Sequence, residues 1–166
     1  APIGWASTNP ILLTRPTALP GPTANLLDER AVHGVVIAGG EAAVSTDVEE
    51  EVDRVIGGGG DPTTRLSGVN RYETAAVIAD WSTESPWLDW SFVGLATGEN
   101  FPDALGGGAG AAKKGGVLLL TRPAELAGYA SAVMGANEME IDSVQILGGT
   151  AALANTVENA VANVIR

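Results

Sequence analysis

Short apolar runs alternate along the chain with stretches in which the apolar residues recur at helical spacing. Each run is bounded by glycine, proline or polar residues, which is typical of strands covered on both faces. The predicted strands are residues 11–14, 35–38, 92–96, 117–120 and 144–147. Strands that alternate with amphipathic helices predict an α/β protein with a mostly parallel sheet and helices layered on both faces.

The helical stretches carry recognisable start signals. The clearest apolar stripe consists of Val48, Val52, Val55 and Ile56. Thr46 followed by Glu49 has the pattern of a capping box for that helix. A further helix is predicted at residues 23–30, and Asn70 and Asn100 are predicted to cap two more.

The helix predicted behind Asn100 has an unusual composition. Pro102 and Asp103 suit its first turn, because a fixed φ and a carboxylate both favour a helix start. Its body contains glycines at positions 106, 107, 108 and 110. Each glycine costs about 1 kcal/mol of helix propensity relative to alanine, so we expect close packing against backbone to offset that cost.

The chain contains an internal repeat. Residues 117–123 restate residues 11–16, and both segments end in Thr-Arg-Pro. Residues 143–165 restate residues 34–56, with a Gly-Gly pair after each strand and the same apolar helix stripe. Asn155 with Glu158 replaces the Thr46 and Glu49 cap. Shared fold constraints would keep the apolar period without the paired glycines, so the pattern indicates duplication.

The repeat predicts two domains. A glycine run that ends in Asp61-Pro62 is the best boundary between them. We therefore predict a partial first repeat over residues 1–60 and a complete second repeat over residues 61–166. The first repeat lacks its own equivalent of residues 65–105, so the chain holds one and a half repeats.

The charge restricts the partners. The 20 acidic residues outnumber the 9 basic ones, and the net charge is -11. Such a surface repels nucleic acid and anionic membranes. It is typical of proteins that work in concentrated salt, and a solubilising acidic surface is the alternative. The sequence has no cysteine and no apolar run near the roughly 20 residues of a membrane span, so we expect no membrane insertion.

Two dense motifs identify a family. They are Arg65-x-x-Gly68-x-x-Arg71-Tyr72-x-Thr74-Ala75 and Ala96-Thr97-Gly98-x-Asn100-Phe101-Pro102-Asp103-Ala104-Leu105. Leu-Leu-Leu-Thr at 118–121 and Ile-Leu-Gly-Gly at 146–149 follow in order. With these motifs the chain resembles the type 2 cell wall binding repeats of secreted and surface proteins in Gram-positive bacteria and some archaea. The resemblance covers nearly all of the chain after its first ten residues.

The resemblance implies a fold and a role. The fold is a Rossmann-like sheet built from tandem repeats that pack around each other. The role is to anchor a parent protein outside the cell, at the cell surface, by binding a wall or surface polysaccharide. This role involves neither catalysis nor a cofactor. In clostridial members the polysaccharide is anionic. The net charge of -11 gives no long-range attraction for such a polymer.

Ligands of open parallel sheets bind beyond the carboxyl ends of the strands, where helix N-termini point their free N–H groups. We expect that edge to be the binding site. The residues predicted there from the strand ends are Thr14, Arg15, Gly39, Gly40, Asn100, Asp103, Thr121, Arg122, Gly148 and Gly149. An anionic group would bind locally there despite the acidic exterior.

Arg65, Arg71 and Tyr72 are the remaining candidate ligand-binding residues. One interpretation has the arginines bind a phosphate or carboxylate of the polymer, for which a planar guanidinium is suited. The other has them pair with Asp103 or bond backbone carbonyls and so hold the helix behind Asn70 to the sheet. Tyr72 is likewise interpreted as a core residue or as a platform for a sugar.

Other function classes have weaker support. The chain has no nucleotide-binding glycine motif and no metal-ligand spacing, and lone His33 has no catalytic partner in sequence reach, so we predict that it is not an enzyme. The alternative to polymer binding is structural assembly, in which repeats pack on each other, on other copies of the repeat in a homo-oligomer, or on a surface layer.

Overall fold

The computed structural model describes residues 2–30, 32, 34–57, 63–84 and 87–165. The chain divides into a small unit, Ile11–Val69, and a large unit, Ala1–Pro10 together with Asn70–Arg166. His33 and the predicted repeat boundary at residues 60 and 61 lie outside the described residues, so that boundary stays a prediction.

After two helices at the start of the chain, strands and helices alternate among the described elements, and the strand Thr64–Leu66 was not predicted from the sequence. In chain order they are α1 (Pro2–Ala6), α2 (Gly21–Glu29), β1 (Val36–Ala38), α3 (Thr46–Val55), β2 (Thr64–Leu66), α4 (Arg71–Thr83), β3 (Asp89–Thr97), α5 (Phe101–Lys113), β4 (Gly116–Thr121), α6 (Gly128–Ala136), β5 (Ser143–Ile146) and α7 (Asn155–Val164). A single 3₁₀ turn, Glu138–Glu140, precedes β5.

The large unit is built on a parallel sheet in the order β4-β3-β5. Leu95 of β3 lies beside Leu119 of β4 and is fully buried with it and with Met134 of α6. On the opposite face, Gly94 lies against Ala111 of α5. Because successive strand residues face opposite sides, helices cover both faces of the sheet. This confirms the predicted layered α/β fold.

The small unit holds a two-stranded parallel sheet in which Ile37 of β1 lies beside Arg65 of β2. Its core contains Leu19, Leu27, Val48 and Val52. The expectation that β1 is covered on both faces is wrong, because Val36 is 42% exposed whereas Ile37 is buried. The sheet of this unit is packed on one face.

The strand predicted at residues 11–14 does not form. Ile11 and Leu13 are 63% and 81% exposed, and the strand pairing nearby is an isolated antiparallel bridge between Arg15 and Ala18. Its repeat counterpart β4 pairs with β3, but the described residues of the small unit contain no strand in the place of β3. The Leu13 carbonyl accepts from the Thr23 hydroxyl at 3.0 Å, but without a neighbouring strand the segment has no ladder of backbone hydrogen bonds and stays irregular.

Two predicted helix caps are also wrong. α3 and α7 begin at Thr46 and Asn155, so these residues lie inside the first turn. The residue before each donates its backbone N–H at 2.7 Å to a proline carbonyl, Pro16 in one repeat and Pro123 in the other. This shared backbone contact, rather than a side-chain cap, precedes each helix start.

Candidate functional site

The carboxyl ends of the three strands of the large unit meet at one edge, which we call the rim. It consists of Gly98 and Asn100 after β3, Thr121 and Arg122 at the end of β4, Gly148 and Gly149 after β5, and Asp103 in the first turn of α5. The backbone N–H of Gly98 donates to the Thr121 carbonyl at 2.9 Å and so continues the β3–β4 pairing into the rim.

The start of α4 packs onto the rim. The Asn70 side chain accepts from the backbone N–H of Tyr72 at 2.9 Å, which confirms its predicted role as a cap. Arg71 donates from Nη1 to the Gly98 carbonyl. A Cβ on Gly98 would lie 2.6 Å from Tyr72 Cε1, so only glycine lets the tyrosine ring approach this closely. The Arg122 guanidinium lies over that ring, 5.6 Å from its centroid.

α5 and β5 are joined at the opposite end of the rim. A Cβ on Gly148 would lie 2.5 Å from Oδ2 of Asp103, so the carboxylate packs against the glycine backbone. Gly148 has a φ of +101°, a conformation that favours glycine. Asn100 stands at the N-cap of α5 as predicted, but its side chain makes no cap hydrogen bond and is exposed. Asn100 is therefore a polar group that faces solvent.

Thr121 is a structural member of the rim. Its side chain is fully buried. Its Oγ1 donates to the Glu125 carbonyl at 2.9 Å and accepts from the Ala127 N–H at 2.7 Å. Since the hydroxyl is engaged on both sides, Thr121 shapes the loop that carries Arg122.

Arg65, Thr14 and Arg15 belong to the small unit. Arg65 donates to two backbone carbonyls and forms an ion pair with Glu49 at 2.7 Å. Both Arg65 and Arg71 therefore bond backbone carbonyls, as one interpretation expects. The carboxylate that pairs with Arg65 is Glu49 rather than Asp103. Thr14 donates its hydroxyl to the Ala18 carbonyl at 3.2 Å, and Arg15 is exposed.

An exposed aromatic residue at the rim was not among the sequence-based candidates. Phe101, next to Asn100, is 76% exposed although it is the first residue of α5. The signal was present, since Phe101 lies inside the second dense motif. A hydrophobic residue at a helix start is ordinarily assigned to the core, and only the structure shows it facing solvent.

Arg122 is the exposed cation of the rim. Its guanidinium contacts Glu125 at 3.4 Å, and both side chains are more than half exposed. Such a pair contributes little to stability and leaves most of the guanidinium donors to solvent. Together with Asn100 and Phe101, Arg122 presents cationic, amide and aromatic groups to solvent at the rim.

The described residues contain no group of three or more histidine, aspartate or glutamate side chains arranged to hold a metal ion. None of the helices formed by those residues has the length and apolarity required to span a bilayer.

The fold defines an α/β repeat protein with polar residues at the carboxyl ends of its parallel strands. The chain belongs to the cell wall binding domain 2 (CWB2) family, whose model matches residues 65–158. This membership indicates a cell wall anchoring role at the cell surface or outside the cell.

Relatives and solved structures agree with this family. The chain is 31% identical over 165 residues to the N-acetylmuramoyl-L-alanine amidase LytC of Bacillus subtilis (strain 168). The matched region is 98% of this chain and 30% of that protein. It is similar in fold to Cwp6 from Clostridium difficile, with a TM-score of 0.86 at 20% identity over 98% of this chain. Cwp8 from the same organism matches with a TM-score of 0.77 at 25% identity over 99% of this chain. The chain spans 25% and 26% of those two proteins.

Proposed function

We propose that the chain is a non-catalytic module that anchors a larger protein to the cell wall by binding a wall or surface glycopolymer at the rim. The observation that carries this proposal is the Arg122 guanidinium, which lies over the Tyr72 ring and beside solvent at the strand ends. A stacked guanidinium is held in place before binding, so less side-chain entropy is lost when it contacts a carboxylate or phosphate of the polymer.

The other rim residues divide into contact and positioning roles. Asn100 and Phe101 are exposed and contact the polymer directly in this proposal. Arg71 holds Gly98 through a hydrogen bond, Asp103 packs against Gly148, and Thr121 holds the loop before α6. These contacts position the contact surface.

The small unit supplies a second contact point in the same proposal. Thr14 and Arg15 are the repeat counterparts of Thr121 and Arg122, and Arg15 is exposed. Arg65 acts there through its contacts with backbone carbonyls rather than by meeting the polymer itself.

The test is a pull-down with purified Bacillus subtilis cell walls, used with and without acid extraction of their attached polymers. We expect Arg122→Ala to weaken wall binding by about fivefold to tenfold, since a net contribution of about 1–1.5 kcal/mol, the upper range of a typical hydrogen bond, corresponds to that factor. Asn100→Ala should weaken it less. Arg54→Ala, an exposed arginine on α3, is the matched control for loss of one positive charge.

Equal binding by the Arg122→Ala and Arg54→Ala variants would exclude the rim as the binding site. A wild-type chain that binds neither wall preparation but associates with itself would support the structural assembly role instead.

A further inference from the structure

The small and the large unit differ at one edge of their related strands. In the small unit, β1 pairs with β2, and Ile37 lies beside Arg65. In the large unit, β5 is the counterpart of β1 and pairs with β3. Among the described residues, no strand lies along the other edge of β5.

Arg65 holds β2 in place beside β1. Its Nη1 donates at 2.8 Å to both the Gly39 and the Val44 carbonyls. Its Nε and Nη2 donate to Oε2 of Glu49 at 3.1 and 2.7 Å. The side chain is only 16% exposed. The strand is thus anchored by one arginine that reaches the turn after β1 and the first turns of α3.

The large unit contains the same receiving groups. By the internal repeat, the counterparts of Gly39, Val44 and Glu49 are Gly148, Leu153 and Glu158. Gly39 and Gly148 both have positive φ, +127° and +101°.

The turn after each strand has the same hydrogen bonds. The carbonyl of Gly40 accepts from the N–H groups of Ala43 and Val44 at 2.8 and 3.1 Å. Gly149 accepts from Ala152 and Leu153 at the same two distances. The carbonyls that bind Arg65 in the small unit therefore have counterparts in a turn of the same geometry in the large unit.

Two of these three groups are uncovered in the large unit, whereas Leu153 is buried. Gly148 and Glu158 are exposed, whereas Gly39 is buried and Glu49 is half-buried. A cavity of about 420 Å³ lies beside β5. Its lining includes Ile146, Gly148, Leu153, Glu158, Val161 and Ile165, which come from β5, the turn after it, α7 and the residue that follows α7. No residue of β3 lines it, so the cavity is on the free edge of β5.

The backbone of that edge is also available. In the small unit, Gly39 donates its N–H to the Leu66 carbonyl at 2.9 Å, and Thr64 donates to the Val35 carbonyl at 2.8 Å. The Gly148 N–H, counterpart of the Gly39 donor, has no backbone acceptor among the described residues.

We propose that this cavity is the docking site for a strand of the Arg65 type that belongs to a further repeat of the same family. The incoming strand pairs in parallel with β5, and its arginine enters the cavity to meet the Glu158 carboxylate and the Gly148 and Leu153 carbonyls. The register of β1 and β2 sets that arginine beside Ile146. Strand addition supplies backbone hydrogen bonds, and the arginine supplies specificity. The proposal is independent of polymer binding.

The test attaches a second copy of residues 63–70 after residue 166 through a Gly/Ser linker of about 20 residues, which spans roughly 25 Å. Because Ile165 lines the cavity, the tethered strand is held near its site at an effective concentration on the order of millimolar. The measurement is amide hydrogen exchange at Gly148. We expect exchange there to slow at least tenfold relative to the chain with the linker alone.

Two variants examine the arginine contact. Replacing the arginine of the tethered copy by alanine should remove the protection, and Glu158→Gln in the chain should reduce it at least threefold. Glu140→Gln, another exposed glutamate outside the cavity, should leave it unchanged. Melting temperatures of the untethered variants verify that each is folded.

Equal Gly148 exchange with and without the tethered strand would overturn the proposal, as would equal protection by the arginine and alanine copies. Protection in the untethered chain with a dimeric solution mass would also overturn it, in favour of a second copy as the occupant.

Discussion

Arg65 and Arg71 each join backbone segments that are distant in sequence. Arg65 connects β2 to the turn after β1, and Arg71 connects the start of α4 to Gly98 at the end of β3. A guanidinium suits this task because its donors lie in one plane and can reach several carbonyls at once. Their positions in the family motif thus have a structural explanation that is separate from ligand binding.

Three asparagines that look alike in sequence have different roles. Asn70 caps α4 through its side chain, whereas Asn100 stands at an N-cap without such a bond and Asn155 lies inside α7. We expect Asn70→Ala to lower the free energy of unfolding by about 1 kcal/mol, the usual cost of a lost cap. Asn100→Ala and Asn155→Ala should change it by less than about 0.5 kcal/mol. Urea denaturation measures all three, and equal losses would contradict the assignment.

Glycines in α5 have two different environments. The helix runs without interruption from Phe101 to Lys113 through all four of them. A Cβ on Gly107 would lie 2.1 Å from Cδ1 of Leu147, which follows β5. Around Gly106 and Gly110 there is open space. Close approach to Leu147 therefore explains Gly107 but neither Gly106 nor Gly110.

This contrast predicts opposite effects of the same substitution. Gly106→Ala and Gly110→Ala should each stabilise the protein by up to about 1 kcal/mol through helix propensity. Gly107→Ala should destabilise it, because Leu147 must leave its rotamer or α5 must move away from the sheet. Thermal unfolding followed by circular dichroism distinguishes them. Stabilisation by all three substitutions would show that α5 does not depend on this contact.

At the scale of the whole molecule, net charge dominates the expected response to solvent. The chain has a charge of -11. Raising KCl from about 0.01 M to about 1 M shortens the Debye length from roughly 30 Å to roughly 3 Å and screens the self-repulsion of the folded state. We expect the melting temperature to rise over this range, as in proteins adapted to concentrated salt.

Scanning calorimetry across the KCl series checks this prediction. Sucrose at matched osmolality is the control, because it stabilises proteins by exclusion from the surface without screening charge. A melting temperature that is unchanged by KCl would leave the acidic surface as a solubility feature only.

The sequence by itself determined the strands of the large unit, the duplication and the cap at Asn70. The apolar runs that became β3 and β4 were recognisable because a strand buried on both faces must be apolar throughout, whereas β5 alternates exposed and half-buried residues. These features are local, or they repeat at a fixed spacing, so they can be seen without knowing which segments meet.

Only the tertiary structure decided which segments found partners. Residues 11–14 are nearly as apolar as those of β4, yet they stay irregular because the small unit offers them no neighbouring strand. Arg65 pairs with Glu49, 16 residues away, rather than with Asp103. The exposure of Phe101 and Arg122 at the rim also depends on what packs nearby. Whether a backbone segment pairs and whether a side chain is buried depend on the segments that pack beside it. When those segments are distant in sequence, only the fold brings them together.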